Sequence, residues 1–254
     1  MSEFLRAALD AASAAAEVIT RMYRSNCAVT LKADKSPVTD ADVAAENAIR
    51  AVIEERFPRH GFYGEETGKS QADAEFLWVV DPIDGTKAFV REYPMFSTQI
   101  ALMHRGQLIL GVSSAPEYGE LAHAERGEGA WLNGQRLKVS GVTSIEDAAL
   151  STGNLKSLAL GSRWPRLGAL VGRLNRIRGY GDFLHYHLLA AGKIDAVIES
   201  DVNILDIAAL AMIVEEAGGR FTDLDGEPVT LEIGSVLAAN GALHESLRQA
   251  LRAG

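Results

Sequence analysis

The sequence predicts a layered fold that mixes helices and strands, of α/β or α+β type, and three patterns point to it. Through about residue 57, apolar side chains recur at helical spacing. From about 76 to 132, short apolar runs separated by tight turns read as strands of an antiparallel sheet. After about 182, strand and helix patterns alternate. A chain of 254 residues is long enough for a sizeable core, as one large domain or two small ones.

Taken in order, Ser2 caps a first helix running to about Arg24, with an apolar stripe of Phe4, Leu5, Leu9, Val18, Ile19 and Met22. "KADKSP" reads as a loop. Thr39 then caps a second helix that buries Ile49, Val52, Ile53 and Phe57 and stops at Pro58. Asp40 and Asp42 fall in its first turn, where carboxylates suit the helix dipole, so capping alone accounts for one of them. "FLWVV", "STQIALMH", "QLILGV", "LAHAER" and "AWLN" are the strands, "HRG" and "NG" their turns, and Trp131 anchors the last hairpin.

The stretch from about 140 to 180 is Leu- and Arg-rich and poorly patterned. Arg163, Arg166, Arg173 and Arg176 in it read as a solvated face or a subunit contact, and Arg178 as able to reach a site. Beyond it come a helix over 182–191 stopped by Gly192, the strand "DAVIES", the helix "DIAALAMIVEEA" stopped by Gly218-Gly219, the strand "SVLAAN" and a final helix. His185 and His187 fall on opposite sides of their helix and read as packing or surface residues. A division near 140 gives an N-terminal half, 1–140, and a C-terminal half, 141–254.

With 34 acidic and 25 basic residues the formal charge is −9, which argues against a partner such as nucleic acid that needs a basic face. A small anionic substrate remains compatible, because a bound cation can reverse the sign of a site. The single cysteine, Cys27, excludes an internal disulfide framework and a thiolate zinc site and reads as a small apolar residue. The N-terminal "MSEFLRAALDAASAAAEVITRMYRS" is too polar for a signal peptide, and no window has the ~18 uncharged apolar residues needed to span a membrane. A cytoplasmic location, without a membrane partner, is the expectation.

The chemistry concentrates in "WVVDPIDGTKAF", residues 78–89. An apolar run ends in Asp81 and Asp84, where like charges repel and desolvation is costly. A turn explains two such acids. "DPIDGT" nevertheless has more than a turn needs: Pro82 stops the strand, Ile83 offers a carbonyl, and Gly85 and Thr86 present open amides suited to phosphate. Glu65 and Glu66 in "GFYGEETG" and Asp206 in "NILDIAAL" are further acids, which alone read as surface charge and a helix cap. Together they form a set of hard oxygen donors that selects Mg²⁺, or Mn²⁺, over zinc. Such a set beside a phosphate cradle suits metal-assisted phosphoryl hydrolysis.

"GEET", "WVVDPIDGTKAF" and "LDIAALAMIVEEAGG", in this order, resemble the three signature regions of the inositol monophosphatase superfamily, and the likeness extends over nearly the whole chain. The resemblance implies the fold shared with sugar phosphatases, a sandwich of alternating α, β, α, β and α layers, and a homodimer. It also implies Mg²⁺-dependent hydrolysis of a small phosphorylated metabolite, with two or three ions. Glu65 and Asp81, with the Ile83 carbonyl and the Thr86 hydroxyl, would hold one ion. Asp81, Asp84 and Asp206 would hold a second, and Glu65 would position a third ion or the attacking water. Asp42 would pair with Thr86 to activate that water, and the Gly85 and Thr86 amides would receive the phosphate.

For the substrate, "RGYGDFLHYHLLAAGKIDAVIESD" resembles the histidinol-phosphate phosphatases of this superfamily. Arg178, Asp182, Glu199 and Asp206 would then face the substrate, with Asp182 and Glu199 meeting its nitrogens. An acidic pair suits a cationic alcohol better than a polyol. Asp182 also reads as a helix cap, and Glu199, seven residues before Asp206, serves an inositol phosphate equally well. Lys87 is shared with 3′-phosphoadenosine nucleotide phosphatases of the superfamily, whereas Leu205 stands where those enzymes and inositol enzymes carry tryptophan. Histidinol phosphate is the favoured substrate, with inositol 1-phosphate and 3′-phosphoadenosine 5′-phosphate as alternatives.

Overall fold

The computed structural model describes residues 1–25, 29–31 and 37–252; Cys27 and the "KADKS" part of the loop lie outside them. Helix α1 (Glu3–Met22) starts where the Leu5 amide donates to Ser2 Oγ at 3.0 Å and ends slightly before the expected Arg24. Its buried face is largely alanine, Ala8, Ala11, Ala12 and Ala15 between Leu5 and Ile19, so a neighbour can approach closely. That neighbour is α2 (Asp40–Arg56), reached through a two-stranded antiparallel ribbon of β1 (Val29–Leu31) and β2 (Pro37–Thr39).

An eight-stranded sheet follows, made of β3 (Gly61–Gly64), β4 (Gly68–Ser70), β5 (Phe76–Asp84), β6 (Ser97–His104), β7 (Gln107–Ala115), β8 (Glu120–Glu125), β9 (Gly129–Leu132) and β10 (Gln135–Arg136). Its order is β10-β9-β8-β7-β6-β5-β3-β4, and every pairing is antiparallel except that of β3 with β5. The short helix α3 (Thr86–Val90) leaves β5 before β6 begins. Strand β5 is a near-continuous apolar run because both its faces are covered. Trp78 and Val80 pack with Ile100 and Leu102 under α1 and α2, while Leu77 and Val79 pack with Ala101 and Met103 on the opposite face.

The remainder holds β11 (Ala149–Thr152), α4 (Leu155–Leu160), α5 (Trp164–Val171), β12 (Arg176–Arg178), α6 (Asp182–Ala190), β13 (Ala196–Ser200), α7 (Ile204–Glu216), β14 (Gly219–Thr222), β15 (Ser235–Asn240) and α8 (His244–Leu251). Its five strands form a second sheet ordered β12-β11-β13-β15-β14. The 140–180 stretch is thus structured, with two short helices and two strands whose three- and four-residue lengths leave little sequence periodicity.

Helices α6 and α7 lie between the sheets, which is why α7 is apolar on all sides: from Ile204 to Val214 every residue except Asp206 is buried. The outer face of the second sheet carries Leu150, Ile198 and Leu237 against Leu167 of α5 and Leu243 and Leu247 at α8. The result is a five-layer α, β, α, β, α sandwich. The sheets fall on either side of residue 140, while one core cluster takes residues from both.

Candidate active site

Asp81 and Asp84 are three apart, and in a regular strand such residues face opposite sides. Here the register against β6 slips: Asp81 pairs with Gln99 and Asp84 with Ser97, so one extra residue of β5 bulges out. The bulge restores parity and turns both carboxylates to one side. Thr98 Oγ1 donates to the Pro82 carbonyl at 2.8 Å, and the Ile83 amide donates to Asp81 Oδ1 at 2.9 Å, fixing the irregular segment. Gly85 then takes φ +94°, and a side chain there would meet the Met95 carbonyl, so glycine lets the chain swing into α3.

Two capping boxes bring in two more acids. Thr39 caps α2, and its amide and hydroxyl donate to Asp42 Oδ2 at 2.8 and 2.6 Å. Asp42 Oδ1 is thereby left for the Thr86 hydroxyl, 3.1 Å away, which also lies 3.0 Å from the Ile83 carbonyl. Asn203 caps α7 in the same manner, its amide and side chain donating to the two oxygens of Asp206 at 3.0 and 2.9 Å. Asp206 is therefore the third residue of its helix, held by the cap rather than being it.

Glu65 follows β3, whose parallel register against β5 sets it beside Asp81, with its amide donating to the Val80 carbonyl. Beneath it lies Glu46 of α2, fully buried, which accepts from the Glu66 and Thr67 amides at 2.8 Å each. A side chain on Gly64 would overlap the Glu46 carboxylate, so Gly64 and Glu46 fit only as a pair. The sequence reading missed Glu46. An acid one turn beyond Asp42, in line with buried Ile49 and Ile53, was the signal that could have found it.

These elements converge. Asp81, Asp84 and Asp206 offer carboxylate oxygens that all lie within 4.8 Å of one another. With Glu65, Ile83, Gly85, Thr86 and Asp182 they line a cleft of about 430 Å³, which also takes in Lys87, Asn154 and Asp201. A smaller cavity of about 70 Å³ continues past Asp84, Asp182 and Asp206 to Tyr186 and Glu199. A hollow of about 510 Å³ beside Phe57, His60 and Phe76 is larger, but Glu75 is its single acid. Asn154, Asp182 and Asp201 all adopt positive φ, so non-glycine backbone strain gathers around the cleft.

Electrostatics mark the same place. Burial, then repulsion from Glu65, Asp84 and Asp206, pushes Asp81 well above the usual carboxylate range. Asp84 is raised in the same way by burial and by Asp182, Asp206 and Glu199. Burial brings Asp206 up to about 7 despite the lowering by its bonds to Asn203. Asp42 is raised by burial against three hydrogen bonds, and Asp182 by burial and Glu199 against His185 and Lys87. Among the described residues no Lys or Arg pairs with Asp81, Asp84 or Asp206. Three crowded, unpaired carboxylates suit a divalent cation, and their hard oxygens fit an ion of the Mg²⁺ type.

On the substrate side, the Asp182 carboxylate makes no hydrogen bond among the described residues and does not cap α6, whose cap is Gly181. Glu199 is buried and accepts from Tyr186 and His185. Neither histidine is a surface residue: His187 is buried too, between Glu120 at 2.7 Å and Ser113 at 2.9 Å. Arg178 stands apart, exposed on β12, with its guanidinium donating to the Ile177 carbonyl at 2.7 Å and no place in the lining of either cavity.

A five-layer sandwich with buried acids drawn from both halves defines the phosphatase class that the motifs suggested. The chain belongs to the Inositol monophosphatase family, whose sequence model matches residues 1–254. It is 41% identical over 231 residues to a histidinol-phosphatase of Mycobacterium tuberculosis, covering 89% of this chain and 88% of that one. It is 34% identical over 257 residues to an inositol-1-monophosphatase of Mesorhizobium japonicum, covering 99% and 97%. The crystal structure of the extragenic suppressor protein suhB of Bartonella henselae superposes with a TM-score of 0.91 at 32% identity over 100% of both chains. Family membership makes the chain a phosphomonoester hydrolase.

Proposed function

We propose that the protein is a Mg²⁺-dependent phosphatase that hydrolyses L-histidinol phosphate to L-histidinol and phosphate. The observation that carries the metal reading is the convergence of Asp81, Asp84 and Asp206 within 4.8 Å, with Glu65 alongside. Bound by these residues and the Ile83 carbonyl, Mg²⁺, or Mn²⁺, would neutralise phosphoryl charge and lower the pKa of water.

The chain's own residues supply the rest. Thr86 Oγ1, held 3.1 Å from Asp42 Oδ1, can accept a proton from the attacking water while passing its own to Asp42. Burial makes the Asp42 carboxylate more basic than usual, as that role requires. The amides of Gly85 and Thr86, at the open first turn of α3, would donate to phosphate oxygens. Phosphoryl transfer runs with the attacking and leaving oxygens in line, so the protein's part would be mainly to position groups.

Support for the cationic alcohol comes from Asp182 and Glu199, which border the cavity that continues from the metal acids. Charge pairing in a desolvated pocket rewards a substrate with positive nitrogens. The similarity to the M. tuberculosis histidinol-phosphatase points the same way. Glu199 equally suits a sugar hydroxyl, which keeps inositol 1-phosphate as the second reading. The deciding experiment is phosphate release with and without Mg²⁺ from L-histidinol phosphate, inositol 1-phosphate, 3′-phosphoadenosine 5′-phosphate and fructose 1,6-bisphosphate. The expected result is a Mg²⁺-dependent preference, in kcat/KM, for L-histidinol phosphate. A preference for inositol 1-phosphate, or a flat profile, would overturn the substrate assignment, and release indifferent to chelation would overturn the metal.

A further inference from the structure

Glu199 sits on β13 with its two carboxylate oxygens in different surroundings. Oε2 accepts from Tyr186 Oη at 2.7 Å and from His185 Nε2 at 3.1 Å, two consecutive residues of α6. Oε1 has no hydrogen-bond partner among the described residues and lies over Gly153, close enough that a Cβ there would fall 1.9 Å from it. Glu199 borders the cavity of about 70 Å³ shared with Asp84, Asp182 and Asp206. One oxygen is therefore saturated, and the other is kept clear by the missing side chain of Gly153.

The His185 donor is itself fixed. Its ring is fully buried, and Nδ1 lies 3.3 Å from Ser151 Oγ on β11. The Tyr180 amide donates to that same Oγ at 3.1 Å, so one of its lone pairs is occupied and its proton is free to go to Nδ1. With Nδ1 as acceptor, the ring proton resides on Nε2 and points at Glu199. The chain Tyr180 amide, Ser151, His185, Glu199 runs from the β12–α6 turn to the cavity, and Asp182 opens α6 two residues after Tyr180. No part of the phosphoryl chemistry uses it.

We propose that His185 is a positioning residue for substrate selection: its Nε2–H, oriented by Ser151, turns the Glu199 carboxylate so that Oε1, over Gly153, receives the cationic end of the substrate. This rests on the reading of Glu199 as the partner of a substrate nitrogen. The ligand class is a protonated amine or imidazolium carried on a phosphate monoester. A leucine at 185 would fill the space without the donor, and the carboxylate, held by Tyr186 alone, would turn more freely. A glutamine would return an amide N–H near the Nε2 position. Alanine at 153 would displace the same carboxylate from the other side while leaving every donor in place.

The test compares KM for L-histidinol phosphate with KM for p-nitrophenyl phosphate, which carries no cation, in His185→Leu, His185→Gln, Gly153→Ala and Glu199→Gln. His185→Leu and Gly153→Ala are expected to raise the KM ratio about tenfold with kcat little altered, and His185→Gln to restore most of it. Equal effects of His185→Leu on both substrates, or no rescue by glutamine, would overturn the positioning role. A Glu199→Gln variant with an unchanged ratio would instead remove the reading of Glu199 on which the role depends. Should the leucine variant fail to fold, the ¹⁵N resonances of the wild-type His185 ring decide: a proton on Nε2 agrees, and one on Nδ1 alone overturns it.

Discussion

Asp84 makes no hydrogen bond among the described residues, so no contact within the chain requires its charge, while the proposed metal chemistry does. Asp84→Asn is expected to keep the fold, by circular dichroism, and to lose at least about a thousandfold in turnover, as removal of a principal charge-stabilising group does. Near-normal phosphate release would exclude the metal mechanism. Asp206 yields a pH signature. Its folded pKa of about 7 exceeds the ordinary 3.8, so the folded state binds more protons, and the carboxylate costs stability as pH rises through that interval. Under chelation, Asp206→Asn is therefore expected to melt above wild type at pH 8, by on the order of 1–3 kcal/mol. At pH 5, where Asp206 is protonated when folded but already ionised when unfolded, the difference should be less than half as large, and it should vanish only below the ordinary 3.8. Thermal scans with a chelator at both pH values check the sign.

Helix α2 does two jobs at the site: its first turn presents Asp42, and one turn later Glu46 holds the backbone after β3. Glu46→Ala leaves the Glu66 and Thr67 amides without their acceptor and is expected to cost about 2–3 kcal/mol, read by urea denaturation. Turnover should fall as well, because Glu65 follows that backbone. The cap of α7 is separable. Asn203→Ala removes the side-chain donor to Asp206 Oδ1 and the acceptor of the Leu205 amide, leaving the backbone donor to Oδ2, and a loss of about 1 kcal/mol is expected for the cap. A higher Mg²⁺ requirement for phosphate release should accompany it. The β5 bulge belongs with these devices, since an irregular strand end spends pairing to aim side chains.

Across the molecule, the two sheets supply different parts of one site. Asp81, Asp84 and Glu65 come from the eight-stranded sheet, Glu199 from the second sheet, and Asp182 and Asp206 from the helices between them. A cation held by several of these acids stabilises the whole fold by mass action, about 2.7 kcal/mol at a hundredfold excess over Kd. Millimolar Mg²⁺ is thus expected to raise the melting temperature by several degrees in wild type and much less in Asp84→Asn. An equal rise in both would place the ion elsewhere.

The amino-acid sequence by itself determined the helix caps at Ser2 and Thr39, the apolar strands and the order of the acidic motifs, because periodicity, capping and turn chemistry are local. It also marked Asp81 and Asp84 as unusual, since acids at the end of an apolar run are costly without a reason, and the family resemblance joined Glu65 and Asp206 to them. What only the tertiary structure decided depends on contacts far apart in sequence. The bulge that brings Asp81 and Asp84 to one side is set by register against β6. The order hidden in 140–180 comes from pairing and packing against β13 and α8 rather than from local pattern. Glu46, which reads as one more charge on a helix, becomes a buried brace only when β3 lies across it. His185 reads as packing until Glu199 and Ser151, 14 and 34 residues away, arrive on either side of its ring. A side chain's role at a site is fixed by its partners, and the fold chooses those partners.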